Sequence, residues 1–315
     1  MSENPKISFI IPAFNETDYI KNTLNKLHRY CPSTPYEVII VDNGSTDNTK
    51  DLARTYNDQV LSCPNGTISA VRNHGVSSSK GEILVFIDAD VELTLEWQNN
   101  IEKTVTTLKK NPLTITGSRC TPPNNNNTIN THWFNVLTQS TSTNYINSGH
   151  LITTKLLFEK ISGFDETLKT AEDHDFCVRA KESDAIITPD PKLKVIHDGY
   201  PSTYTEFIKR ERWHGREDFE SFSSISHSKI ALITIFHIVL IAVSLMLVAN
   251  NSAIEGLLFY AISMMLLSLA LTLYKFKKIK LKSLFKTSII HYFYLIGRTL
   301  SLFDRITLRY SKKFR

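Results

Sequence analysis

The chain has 315 residues and a formal net charge of +5, but the charge is divided: residues 1–229 hold 24 Lys and Arg against 29 Asp and Glu, and residues 230–315 hold 12 against 2. A mildly acidic head on a basic, apolar tail points to membrane lipids as partners and argues against nucleic acid. Cys31, Cys63, Cys120 and Cys177 lie far apart with no Cys-x-x-Cys pair, which argues against a zinc knuckle or a disulfide framework and fits a reducing compartment.

In chain order, Met1 to Lys6 shows no apolar signal region and leads straight into a strand, so the head is expected to stay in the cytosol. Ile7 to Ile11 reads as a strand closed by Pro12, followed by a helix to about Tyr30 with Asn15 or Thr17 as N-cap. Val38 to Val41 repeats the pattern and ends in the turn-rich Asp42-Asn43-Gly44-Ser45-Thr46-Asp47 before a helix from Thr49 to Tyr56. Ile83 to Asp90 is an apolar run ending in two carboxylates, which describes a buried strand that delivers Asp88 and Asp90 to the ligand-binding edge of an open sheet. If strand geometry continues past Asp88, alternation points both carboxylates the same way, and a hard divalent cation can bridge them.

A helix from about Glu96 to Lys109 and a strand near Leu113 to Gly117 follow. The polar stretch Thr121 to Thr131 reads as a mobile loop, and its Asn126 would be a glycosylation acceptor only in a secretory lumen. Leu151 to Ile161 reads as a strand-to-helix passage and Glu172 to Glu182 as a helix. At Ile230 the composition changes. Residues 230–249 hold no charged side chain and residues 254–274 only Glu255. Each stretch is long enough to cross about 30 Å of hydrocarbon at about 1.5 Å per residue. Lysines 275, 277, 278, 280, 282 and 286 and the basic terminus place both flanks of this hairpin in the cytosol by the positive-inside rule. Phe285 to Phe303, with Lys286, His291 and Arg298 among apolar residues, reads as an interfacial amphipathic helix.

Four motifs appear in a fixed order: Ile11-Pro12-Ala13-Phe14-Asn15-Glu16, Val41-Asp42-Asn43-Gly44-Ser45-Thr46-Asp47, Asp88-Ala89-Asp90 and Glu172-Asp173. Together, over about residues 5 to 220, they resemble the inverting nucleotide-sugar glycosyltransferases of family 2, which have the GT-A fold. The resemblance implies an α/β architecture, a nucleotide-binding, mostly parallel sheet flanked by helices, with the C-terminal transmembrane hairpin appended. It implies that Pro12, Ala13 and Glu16 contact the base and ribose of the donor and that Asp42 reads the base, a carboxylate being a suitable acceptor for an imide or purine N–H. Asn65 with Gly66, and Ala70-Val71-Arg72-Asn73, resemble segments lying along the donor. Asp88 is implied as a donor contact and metal ligand and Asp90 as the main ligand of Mg2+ or Mn2+, with His197 at a position where some GT-A enzymes add a further ligand. Asp173 is implied as the general base, with Glu172 raising its pKa or holding the acceptor. Lys209-Arg210-Glu211-Arg212-Trp213 is similar to the Gln-x-x-Arg-Trp segment of membrane-bound polysaccharide synthases, although Lys209 replaces the glutamine. Arg212 is thereby implied as a diphosphate contact and Trp213 as a stacking surface for an acceptor sugar.

The sequence is thus read as three parts: a cytosolic GT-A domain over 1–226, a transmembrane hairpin over 227–282, and a basic interfacial helix and tail over 283–315. The expected activity is metal-dependent transfer of a hexosyl group from a UDP- or GDP-sugar to a membrane-associated, lipid-linked acceptor in polysaccharide or glycoconjugate synthesis. The alternatives are a polyprenyl-phosphate sugar synthase, whose acceptor phosphate needs no strong base, and a non-catalytic nucleotide-sugar-binding scaffold.

Overall fold

The computed structural model describes residues 4–56, 58–124, 127–138, 145–168, 170–219, 225–226, 228–250, 252–276 and 279–306. Contacts divide the chain into two compact units, Met1–Pro123 with Ser140–Gly199, and Asn124–Gln139 with Tyr200–Arg315. The first unit thus closes at Gly199, earlier in the chain than the 1–226 limit expected from sequence.

In chain order the elements are β1 (Ile7–Ala13), α1 (Ile20–Arg29), β2 (Tyr36–Asp42), α2 (Thr49–Arg54), β3 (Gln59–Ser62), α3 (Ile68–Ser77), β4 (Ile83–Ile87), β5 (Val91–Leu93), α4 (Leu95–Lys110) and β6 (Thr114–Gly117). A π-helical turn, Asn130–Phe134, runs into the short α5 (Asn135–Thr138). Then come β7 (His150–Thr154), α6 (Lys155–Lys160), α7 (Glu172–Glu182), β8 (Ile186–Pro189), β9 (Val195–His197), α8 (Tyr204–His214), α9 (Lys229–Asn250), α10 (Ala253–Lys275) and α11 (Leu281–Ile306).

Seven strands of the first unit form one sheet in the order β3-β2-β1-β4-β7-β6-β8, and β5 pairs with β9 in a small second sheet. Every residue of β1 and β4 is buried, as expected of strands covered on both faces. One face packs on α1 and α4 through Ile20, Leu24, Trp97 and Ile101, the other on α3, α6 and α7 through Val71, Leu157, Phe158 and Phe176. Threonine N-caps start α3, α4 and α6, each accepting a backbone N–H in the first turn and contributing about 1 kcal/mol. Among the described strands of the large sheet only β7 runs against the rest. Its N-terminal end therefore lies at the edge where β1, β2 and β4 end.

Three local readings from the sequence are corrected. Pro12 lies inside β1, opposite Val41 of β2. It sits past the last rung to β4, Ile10 with Phe86, where a missing amide costs no ladder bond. Asn15 and Thr17 do not cap α1, whose N-cap is Tyr19 without a side-chain bond. They tie the loop after β1 to the loop after β2: Asn15 Oδ1 accepts from the Thr46 N–H at 2.9 Å, and the Thr17 N–H donates to Asp47 at 3.3 Å. Strand geometry also stops at Ile87, because the Val91 N–H closes a turn onto the Asp88 carbonyl at 3.1 Å.

In the second unit, Ile129, Trp133 and Phe134 are buried with Phe207, Ile290, Tyr294 and Leu295. Within the polar stretch expected to be a mobile loop, residues 128–131 are helical. Asn127 Oδ1 accepts from the Ile129 and Asn130 amides at 2.8 and 3.1 Å, while Asn126 lies outside the described residues. Among the described residues, α9 and α10 are the two helices long and apolar enough to cross a membrane. They pack through small groups, the Ser244 hydroxyl donating to the Gly256 carbonyl at 2.8 Å. The helix read as interfacial forms as α11, and many of its polar positions turn inward. His291 hydrogen-bonds Thr272 at 2.7 Å, Thr299 hydrogen-bonds His237 at 2.8 Å, and Arg298 donates to Glu211 and Asp218 at 3.0 and 2.9 Å.

Candidate active site

The site of the first unit grows from the ends of β1, β2 and β4. Ala13 and Asp42 are neighbours in the β1–β2 register, and Pro12 pairs beside them. The buried Asp42 carboxylate accepts from the Gly44 and Ser45 amides at 3.2 and 3.3 Å, an Asx turn that fixes the loop after β2. Gly44 has φ +84°, so the turn favours glycine there. Asn43 then clamps the next loop: its amide donates to the Gly66 carbonyl at 3.0 Å and its carbonyl accepts the Gly66 N–H at 2.9 Å. Asn65, at φ +62°, is exposed on that loop.

Beyond β4, Asp88, Asp90 and His197 converge, with one ligand atom from each lying within 4.8 Å of the others. His197 Nδ1 is 3.4 Å from Asp90 Oδ2. The convergence is made by the β5–β9 pairing, which places Val91 opposite His197, rather than by strand alternation. Gly199 passes so close that a Cβ there would stand 2.0 Å from Asp90 Oδ2. Burial first, then the nearby Asp88 charge, raises Asp90 to about 6, while a charged His197 opposes this. Glu16 is pushed to about 8 by burial and by the charges of Asp90 and Asp88. Two carboxylates and an imidazole, set in a negative field that favours a cation, suit Mg2+ or Mn2+.

Arg72, on α3, joins this cluster to the start of α7. It donates to Asp88 Oδ1 at 2.7 Å and to Glu172 Oε1 at 2.8 Å while itself only 2% exposed. Beside it, Asp173 accepts from Asn147 Nδ2 at 2.8 Å and from the His174 N–H at 2.7 Å. Burial and the adjacent Glu172 charge raise Asp173 to about 6; the bonds from the His174 and Ser148 amides and the Arg72 charge hold it down.

The sequence-derived residues Pro12, Ala13, Glu16, Asp42, Arg72, Asp88, Asp90, Glu172, Asp173 and His197 all belong to the first unit. Arg212 and Trp213 belong to the second. There Arg212 makes two hydrogen bonds to the Asp304 carboxylate, and the half-exposed Trp213 ring carries the Arg216 guanidinium at 4.1 Å from its centroid. Sequence reasoning missed Asn147, Ser148, Gly149 and Gly199. The first three form a turn triplet just before an apolar run, and the reversed direction of β7 brings that turn to the site.

A mostly parallel sheet with an acidic, metal-compatible cluster and a second carboxylate pair at its C-terminal edge defines a GT-A fold. The chain belongs to Glycosyl transferase family 2, whose family model matches residues 8–167. Similar proteins include Glycosyltransferase AglE of Haloferax volcanii, 33% identical over 120 residues, which are 36% of this chain and 38% of that protein. Another is a poly(ribitol-phosphate) beta-glucosyltransferase of Bacillus spizizenii, 33% identical over 106 residues, 30% of this chain and 17% of that protein. The chain thus aligns with well under two thirds of these relatives. In fold it is similar to mannosyltransferase PcManGT from Pyrobaculum calidifontis, solved with GDP-Man and Mn2+, at a TM-score of 0.59 and 17% identity, covering 96% of this chain and 89% of that one.

Proposed function

We propose that the protein is a membrane-held, inverting, metal-dependent glycosyltransferase that moves a hexosyl group from a UDP- or GDP-sugar to a lipid-linked or otherwise membrane-associated acceptor. The observation that carries this reading is the link through Arg72 between the Asp88–Asp90–His197 cluster and the Glu172–Asp173 pair. A donor end and a base are thereby held side by side, as single displacement requires. The GDP-Man and Mn2+ bound by the similar mannosyltransferase support a nucleotide-diphosphate donor and a divalent cation.

In this reading Asp90, Asp88 and His197 hold Mg2+ or Mn2+, which when bound supplies Lewis-acid neutralisation of the leaving diphosphate. Pro12, Ala13, Glu16 and Asp42 receive the nucleoside, with Asn65 and Arg72 along the donor. Asp173 takes the proton of the acceptor hydroxyl as that oxygen attacks the anomeric carbon from the face opposite the diphosphate. Its elevated pKa makes it a better proton acceptor, still ionised above about pH 6. Glu172 sustains that elevation. Helices α9 and α10 span the bilayer, with the first unit on the cytoplasmic side. On α11 the exposed Leu281, Phe285 and Ile289 enter the interface, with Lys282 and Lys286 beside them at anionic head groups. Tethering of this kind raises the local concentration of a lipid acceptor.

The test is turnover of a panel of UDP- and GDP-sugars by detergent-purified protein with Mn2+, Mg2+ or EDTA, supplemented with polyprenyl phosphate and a lipid extract. Turnover of one donor class that needs metal and is lost in Asp90→Ala is expected. Binding of a donor without turnover under any condition would favour a scaffold.

A further inference from the structure

The turn Asn147-Ser148-Gly149 meets three carboxylates of the site in three consecutive residues. Asn147 Nδ2 donates to Asp173 Oδ2 at 2.8 Å. The Ser148 hydroxyl donates to Glu172 Oε1 at 2.9 Å, and its backbone N–H faces Asp173 Oδ2 at 3.4 Å. Gly149 lies so close to the Asp88 carboxylate that a Cβ there would stand 2.8 Å from Oδ2. The turn is itself braced: the Gly149 N–H donates to Asn147 Oδ1 at 2.8 Å, which keeps the amide nitrogen of Asn147 facing Asp173. It is also anchored to β4, through the Asp88 N–H to the Gly149 carbonyl at 3.4 Å and the pairing of Ile87 with His150.

The start of α7 needs such a hold. Its N-cap, Ala171, sits in the left-handed region at φ 58° with no side-chain cap bond, a conformation that costs an alanine energy unless its surroundings impose it. The helix therefore presents Glu172 and Asp173 on a start that it does not fix itself. Arg72 supplies the opposing jaw. Its two terminal nitrogens bridge Asp88 and Glu172, and the Glu172 Oε1 that it holds is the oxygen that Ser148 also holds.

We propose that Arg72 and the turn Asn147-Ser148-Gly149 form a positioning clamp that keeps the Glu172–Asp173 pair in register with Asp88. This rests on the reading of Asp173 as base. It assigns Asn147 and Ser148 positioning roles that no sequence motif gives them, and makes bridging, rather than donor contact, the main work of Arg72. The clamp acts through Asp173, so its loss is felt in kcat and in the pH at which the base ionises, while the donor KM is little changed.

The test compares full-length, detergent-purified wild type with Asn147→Ala, Ser148→Ala and Arg72→Lys. It uses metal-dependent turnover of the donor identified above, read as kcat, donor KM, the pH profile of kcat and the melting temperature. Loss of a hydrogen bond to a charged group is expected to lower kcat roughly tenfold to a hundredfold. In Asn147→Ala and Ser148→Ala, neither of which lies among the donor contacts, donor KM is expected to stay within about threefold. In Asn147→Ala the acidic limb moves to higher pH, because the carboxylate form of Asp173 loses a donor. Lysine has no planar fork to bridge two carboxylates, so Arg72→Lys shows the same kcat loss. Combined with Ser148→Ala it loses less than the product of the two, because both act on one oxygen. Should Arg72→Lys fail to fold, Ser148→Ala, which removes a single oxygen, carries the test. Active wild type with variants whose kcat and acidic limb are unchanged, or whose only change is a raised donor KM, overturns the clamp alone. Wild type that turns over no donor overturns the underlying reading and the clamp with it.

Discussion

In the proposed reading, Asp173 is the residue at which stability and activity are set against each other. Burial and the Glu172 charge raise it from 3.8 to about 6, so between those values the folded state binds the extra proton. Its contribution to stability is complete below about pH 4 and is lost as pH rises through about 6. Asp173→Asn is therefore expected to melt above wild type at pH 8, by the equivalent of roughly 2–3 kcal/mol, with the advantage gone at pH 4 and without transferase activity. Thermal melts in detergent without metal check this, and equal midpoints at pH 8 would contradict it. Gly199 offers a second test at this scale. Its absent side chain gives Asp90 Oδ2 room that a methyl group would take at 2.0 Å. Gly199→Ala should weaken Mn2+ binding by roughly tenfold or more, read by titration calorimetry. Unchanged affinity would separate Asp90 from the metal.

Among the elements, α8 and α11 are joined by charge. Glu211 is only 3% exposed. Burial works against its carboxylate, yet Arg298 and Arg210 hold its pKa below the usual range. Arg298→Met would leave Glu211 buried against a missing partner and is expected to cost about 3–5 kcal/mol of stability, with part of it recovered by adding Glu211→Gln. Melting of the single and double variants measures this. If the second substitution recovers nothing, Glu211 does not depend on Arg298. The same pair shows where sequence reading stops. The amphipathic character of α11 is legible, but an arginine facing anionic lipid and one facing a buried glutamate require the same residue type. The central strands β1, β2 and β4 were legible from apolar runs ending in Pro12, Asp42 and Asp88. In contrast, β3 and β8 are edge strands that are half-buried or exposed, and β5 is only three residues long, so none carries a periodic signal. Helix α3 buries Ser69 and Arg72 on its inner face, which hides its amphipathic pattern. Motif order brought Asp88 and Asp173 to attention, whereas the role of Asn147-Ser148-Gly149 depends on partners that are distant in sequence and meet only because β7 runs backwards.

At the scale of the whole molecule, one chain combines a family 2 sheet with a helical pair fit to cross a bilayer. Leu232, Phe236, Val239, Leu257 and Leu266 of α9 and α10 are all exposed, which suits the proposed placement of these helices in lipid. The protein is expected to stay with the membrane fraction through alkaline carbonate extraction, and release to the supernatant would argue against the spans. Membrane placement, donor, metal and base together serve one chemical claim, a single displacement with Asp173 taking the acceptor proton. The most direct test is the proton NMR spectrum of the glycosylated product, formed by wild type and by Asp173→Ala from a donor of known anomeric configuration. An inverted anomeric centre from the wild type and no product from the variant are predicted; a retained configuration, or undiminished product without Asp173, would contradict the account.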